Sequence, residues 1–243
     1  MTNPAALSPI TPPPAALTPL LAKLPLIPLE IAIGERTWHV TVVPDQTTFF
    51  EVYDQLEDPP YGFLLWESAV GLARRLAEQP QWVRNKRVLE LGAGVGLPGL
   101  VAASLGADVA QTDHQSDILA LTALNAGQNN ITVTERFLAD WRRWTHTERY
   151  QLILGADILY DRALHFYLEE IFHRNLAPGG RLLLADPGRT QALEFMVKLE
   201  EHGWQVDLQT LSVKAVGEAQ NRMVEVVIYQ CTRVQRSAPN RSS

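Results

Sequence analysis

Glu90, Gly92, Gly94, Gly96 and Asp113 are the residues of this chain whose types and spacing point most directly to chemistry. The apolar run Val88, Leu89, Leu91 reads as a buried strand. Three alternate glycines then make a turn, a helix follows from about Pro98, and a second strand from Asp108 to Thr112 closes on Asp113. Glycines let a ligand approach the backbone without interference from a Cβ. The helix start presents free N–H groups at the same place. An acid ending the next strand accepts hydrogen bonds from two ribose hydroxyls. The unit is built to hold a nucleoside.

Gly94-x-Gly96-x-x-Gly99 also satisfies the dinucleotide fingerprint, a weak match on its own. The turn itself begins at Gly92 and reads Gly-x-Gly-x-Gly, with Glu90 two residues before it. A carboxylate there is awkward beside a pyrophosphate and suits a cationic ligand such as a sulfonium or an amino acid. A purely structural glycine turn in another α/β protein is the competing reading.

The elements around this unit alternate. A helix is expected from Glu67 to about Gln79, where Ala69, Leu72, Ala73 and Leu76 share a face. Further helices are expected at Pro98 to Leu105, from a Ser116 cap to about Gln128, at 161–175 and at Thr190–His202. Strands are expected at 87–91, 108–112, Arg136–Leu138, Leu152–Leu154 and Arg181–Ala185, the last after a Pro178-Gly179-Gly180 turn. Trp204–Val213 and Val224–Cys231 read as a terminal hairpin. Such alternation implies a parallel sheet with right-handed crossovers, covered on both faces. Ligands then bind beyond the carboxyl ends of the strands. Those ends carry Gly92–Gly96, Asp113, Asp140-Trp141, Ala156-Asp157 and Asp186.

Residues 1–25 are rich in Pro, Ala, Leu and Thr and read as a disordered tail. Residues 26–60 form an N-terminal extension with a hairpin around Gly34-Glu35, expected as an added two-stranded lid. The main domain is expected over 61–234, and 235–243 as a flexible end. The 243 residues carry a net charge of −6 and are 46% hydrophobic, which suits a soluble globular protein without the basic patch of a nucleic-acid binder. The single cysteine, Cys231, excludes an internal disulfide, and the six histidines show no ligand spacing, so no metal is expected. Neither a membrane span nor a signal peptide is recognised. A cytoplasmic monomer is expected.

The strand-end residues together with the closing hairpin resemble the class I, seven-β-strand, S-adenosylmethionine-dependent methyltransferases over about 60–231. The finer resemblance is to the seven-β-strand protein lysine methyltransferases, methyltransferase family sixteen. It rests on Gly62-Phe63-Leu64-Leu65-Trp66-Glu67-Ser68-Ala69, on the extended turn Glu90–Leu100, on Asp140-Trp141 and on Asp157-Ile158-Leu159-Tyr160. Asp186-Pro187-Gly188-Arg189 resembles members that methylate lysine in a flavoprotein electron carrier. The resemblance implies a Rossmann-like, doubly wound, mostly parallel α/β sheet of seven strands with a C-terminal antiparallel hairpin. It implies S-adenosyl-L-methionine as cofactor, held by Trp66, Glu90, Gly92, Gly94, Gly96, Asp113, Asp140, Trp141 and Ala156. Asp113 would meet the ribose and Asp140 the adenine amino group. Asp157 and Tyr160 would serve the acceptor. That acceptor would be a protein lysine or, alternatively, a small amine such as nicotinamide; a non-catalytic binding domain is a third reading.

The acceptor must be an unprotonated amine, whereas free lysine titrates near ~10.4. An apolar pocket lowers that value and a neighbouring carboxylate raises it. Asp157 therefore makes better sense as an orienting acceptor of hydrogen bonds than as a strong base, with Tyr160 as an aromatic wall. Each residue also has a structural reading. Asp157 would cap the following helix, Tyr160 and Trp141 would be core, and Trp66 would pack at the sheet edge. Asp140 would cap a turn, and Asp186 with Arg189 would be a plain turn salt bridge.

Overall fold

A computed structural model describes residues 18–47, 61–216 and 222–234. Most of the expected N-terminal tail, the expected C-terminal end at 235–243, and residues 48–60 of the extension lie outside these residues. The described end of the N-terminal segment carries a 3-10 turn at Leu21–Lys23, and Leu21 and Leu24 are buried.

Seven strands form the main sheet: β3 (Arg87–Leu91), β4 (Asp108–Asp113), β5 (Glu135–Leu138), β6 (Tyr150–Ala156), β7 (Leu176–Asp186), β8 (Trp204–Lys214) and β9 (Met223–Arg233). Their order across the sheet is β5-β4-β3-β6-β7-β9-β8. The contacts from β5 to β7 are parallel, while β9 runs antiparallel to both β7 and β8. The second strand of the C-terminal hairpin therefore lies inside the first. Strand order reverses between β3 and β6, which opens a crevice at their carboxyl ends.

Among the described residues, these helices cover the sheet: α1 (Glu67–Glu78), α2 (Leu97–Ser104), α3 (Ser116–Gln128), α4 (Arg162–Asn175) and α5 (Thr190–Glu201). Strand side chains alternate between two apolar clusters. Val88, Leu152 and Leu154 join α1, α2 and α3 in one, whereas Leu89, Leu91 and Ile153 join α4 and α5 in the other. Burial on both faces explains why the central strands are continuous apolar runs.

Three local readings change. Ser116 does not cap α3: Gln115 holds the cap position and makes no side-chain cap bond. The Pro178-Gly179-Gly180 turn is absorbed into β7 as an irregularity. Tyr150 pairs with Leu176 while Leu152 pairs with Arg181, so extra residues bulge out, helped by Gly179 at φ +72°. The hairpin β1 (Ile27–Ile33) and β2 (Arg36–Val42) is not a lid. Trp38, Val40 and Val42 are buried in the main core, and β2 is tied to α3 by hydrogen bonds in which Asn125 and Asn129 each accept from, and donate to, the backbones of Thr41 and His39 respectively.

Candidate active site

A cavity of about 570 Å³ opens at the carboxyl ends of β3 to β7. Its size suits a small organic ligand. The turn after β3 forms one wall through Gly92 and Gly94. Gly94 sits at φ +53°, and a Cβ there would stand 3.2 Å from the carbonyl oxygen of Gly62, so two backbones meet without room for a side chain. Gly96 lies behind this wall: it precedes α2, and its carbonyl accepts a hydrogen bond from Gln111 Nε2.

Asp113 ends β4 at the cavity and is almost fully buried. Its Oδ2 accepts the Gly94 N–H at 3.1 Å, and its Oδ1 accepts those of His114 and Gln115 at 2.8 and 3.3 Å. A side chain fixed by three backbone donors is pre-organised for a ligand hydroxyl. Asp140 follows β5 and lines the cavity, and its Oδ1 accepts the Arg142 N–H at 2.9 Å, so it does cap a turn. Trp141 is half-buried, with its ring about 3.4 Å from where a Gly92 Cβ would be.

Glu90 differs from expectation. It lines the cavity, and its carboxylate is buried and bonded within the protein. Oε1 accepts the Gly99 N–H at 3.0 Å and Oε2 accepts from Gln111 Nε2 at 2.7 Å. Burial pushes its carboxyl up to about 8 despite these two bonds. It braces the loop rather than presenting a free charge. Gln111, which the sequence reading passed over, is its partner. A glutamine in the interior of a strand, after Val109 and Ala110, was the available signal.

The far side of the cavity is acidic and aromatic. Ala156 and Asp157 end β6 and line it. Asp157 adopts φ +59°, a left-handed conformation that Asp tolerates better than most residues, and its N–H donates to Ala185 at 2.8 Å. It does not cap α4, because Asp161 does so by accepting the Ala163 N–H at 2.9 Å. The Asp157 carboxylate meets Arg189 Nη1 at 2.5 Å. Burial raises its pKa, and the charge and hydrogen bond of Arg189 pull it back. Ser68 Oγ is buried beside this group without a hydrogen-bond partner in the present geometry; a small adjustment toward Asp157 would form a bond that favours the carboxylate. Tyr160 is not core: it is 49% exposed at the rim. Trp66 precedes α1, donates through Nε1 to the Tyr61 carbonyl at 3.1 Å, and also faces the cavity. The Asp186–Arg189 turn bridge is present at 2.7 Å and continues to Asp157.

The family model for lysine methyltransferases matches residues 46–202, a span that contains every one of these cavity residues. The chain belongs to the lysine methyltransferase family. It is 29% identical over 152 residues to the electron transfer flavoprotein beta subunit lysine methyltransferase of Danio rerio, covering 59% of this chain and 56% of that protein. It is 38% identical over 115 residues to the protein N-lysine methyltransferase METTL21A of the same organism, covering 45% and 50%. The chain thus matches about half the length of these curated relatives. Among solved structures, a 16S rRNA methyltransferase from T. thermophilus in complex with AdoMet and guanosine aligns with a TM-score of 0.58 at 18% identity, over 86% of this chain and 51% of that one. That likeness concerns the fold: a sheet of the methyltransferase type. Among the described residues no group of side chains is arranged to hold a metal ion, and no helix is long and apolar enough to cross a membrane.

Proposed function

We propose that this chain is an S-adenosylmethionine-dependent N-methyltransferase that modifies a lysine side chain of a protein. The single observation that carries the reading is one continuous cavity with two differently built ends. A glycine wall and the fixed Asp113 stand beyond β3 and β4 on one side; Asp157 and Tyr160 stand beyond β6 on the other, and Trp66 lines the same cavity. The first end fits an adenosyl group. Gly92 and Gly94 line this end without side chains, and Asp113 offers carboxylate oxygens for ribose hydroxyls. Asp140 is placed for an exocyclic amine, and the Trp141 ring offers a flat apolar wall.

When bound, the sulfonium supplies an electrophilic methyl group. The chain's own residues must deliver a neutral amine in line with it. The apolar part of the lining disfavours an ammonium, so the entering amine gives its proton to solvent; the N–C bond then forms as the S–C bond breaks, leaving S-adenosylhomocysteine. Asp157 accepts an N–H of the entering amine and fixes the direction of its lone pair, which is the positioning contribution. Tyr160 at the rim offers a ring face to the alkylammonium product. The names of the relatives support a protein lysine as acceptor.

Incubation of the purified protein with a cell extract and methyl-labelled S-adenosylmethionine tests the reading. Label on lysine in a protein band is the expected result. Label only in small molecules would move the assignment to a small amine, and no label with no calorimetric uptake of S-adenosylhomocysteine would end it.

A further inference from the structure

Arg189 lines the cavity beside Asp157 and joins two acids. Its Nη1 stands 2.5 Å from Asp157 Oδ1 and 2.7 Å from Asp186 Oδ2. Asp186 is fully buried, and its other oxygen accepts the Gly188 and Arg189 N–H groups at 2.8 and 2.6 Å. Asp186 is therefore held by three hydrogen bonds, and Arg189 links it from the end of β7 to Asp157 at the end of β6. Asp157 needs such a brace. It sits in a left-handed backbone conformation, and a buried carboxylate left alone would gain a proton and turn into a donor.

We propose that Arg189, braced by Asp186, is a positioning residue that fixes the Asp157 carboxylate at the acceptor end of the cavity. The proposal rests on the methyltransferase reading for its catalytic consequence. The brace itself can be measured without any acceptor. Burial holds Asp157 above the usual carboxylate range while Arg189 opposes it, so loss of the guanidinium releases the upward pull. A plain exposed ion pair would have no such effect, because exposed pairs contribute little; here the Asp157 side chain is only 10% exposed.

The test labels aspartate with carboxyl 13C, assigns Asp157 through Asp157→Asn, and titrates it in the wild type, Arg189→Met and Arg189→Lys. The Asp157 titration is expected to move up in Arg189→Met and to return toward the wild type in Arg189→Lys, which keeps the charge. In the labelled-methyl assay, kcat is expected to fall roughly tenfold to a hundredfold in Arg189→Met, with affinity for S-adenosylhomocysteine unchanged. Arg189→Lys, the variant more certain to fold, is expected to lose part of kcat through altered geometry. An unmoved Asp157 titration in Arg189→Met, or a wild-type kcat in Arg189→Lys, overturns the proposal. A wild-type protein that binds no S-adenosylhomocysteine overturns the function instead, and the titration still decides the brace.

Discussion

The Glu90 carboxylate fills the space that a side chain on Gly99 would need: a Cβ there would stand 2.2 Å from Oε2, while Oε1 accepts the Gly99 N–H at 3.0 Å. Strand β3 and helix α2 are thus locked together at one residue pair beneath the cavity wall. Glycine is required at 99 for this packing, even though its backbone is ordinary helix. Gly99→Ala must either displace the carboxylate or push α2 outward. Overpacking of this kind costs about 1–3 kcal/mol, and the displaced glycine turn should weaken nucleoside binding as well. Urea unfolding of Gly99→Ala with a midpoint equal to wild type would show that the pair is looser than described.

Glu90 also sets a pH dependence. Burial pushes its carboxyl from 4.5 up to about 8. The folded protein therefore holds a proton over that window which the unfolded chain has released. Stability from this group is fully present below about 4.5 and is lost as pH rises toward about 8. Glu90→Gln cannot titrate. Whatever its absolute effect, its stability profile should fall less steeply over this range than that of the wild type. Denaturation midpoints collected from pH 5 to pH 8 decide the matter; parallel profiles would remove Glu90 as their source.

Asp113 separates ligand affinity from fold. Its three backbone hydrogen bonds keep it in place, and its buried position at the cavity makes it the proposed ribose acceptor. Asp113→Asn keeps the shape but loses the charge and half of the accepting capacity. Hydrogen bonds to charged groups contribute about 1.5–3 kcal/mol, so affinity for S-adenosylhomocysteine should drop at least about tenfold. Calorimetry measures the affinity and thermal unfolding checks the fold. Undiminished binding in a folded variant would move the ribose elsewhere.

The parts of the site that were readable in the sequence are those set by local rules. A glycine turn after an apolar run and an acid at the end of the next strand identified the wall and Asp113. Strand-end reasoning brought Asp140, Asp157 and Asp186 to one edge. What escaped depends on contacts distant in the chain. Asp157 and Asp161 are equally good caps by type; the helix starts at Arg162, which gives the cap to Asp161, while the Asp157 N–H is spent on Ala185. Glu90 suits a cation by its charge, but its burial against Gln111 directs it inward. The hairpin reads as an independent flap because its docking partner, α3, lies more than eighty residues further along the chain.

That docking yields the last prediction. Asn125 is fully buried on α3. Its Oδ1 accepts the Thr41 N–H at 2.7 Å, and its Nδ2 donates to the Thr41 carbonyl at 3.2 Å and to the Val95 carbonyl at 3.0 Å. One amide therefore holds the β2 edge and the glycine wall of the cavity together. Asn125→Ala leaves a buried N–H and two buried carbonyls without this partner. Each orphaned group costs about 1–3 kcal/mol, so the variant should lose several kcal/mol in urea unfolding. Because Val95 lies between Gly94 and Gly96, affinity for S-adenosylhomocysteine should fall too, although Asn125 is not among the cavity residues. Asn125→Asp keeps the Oδ1 contact but sets an acceptor oxygen against the Thr41 and Val95 carbonyls, so it should be at least as destabilised as Asn125→Ala while still weakening the ligand. If instead both variants bind as tightly as wild type, the hairpin and the glycine wall are mechanically independent.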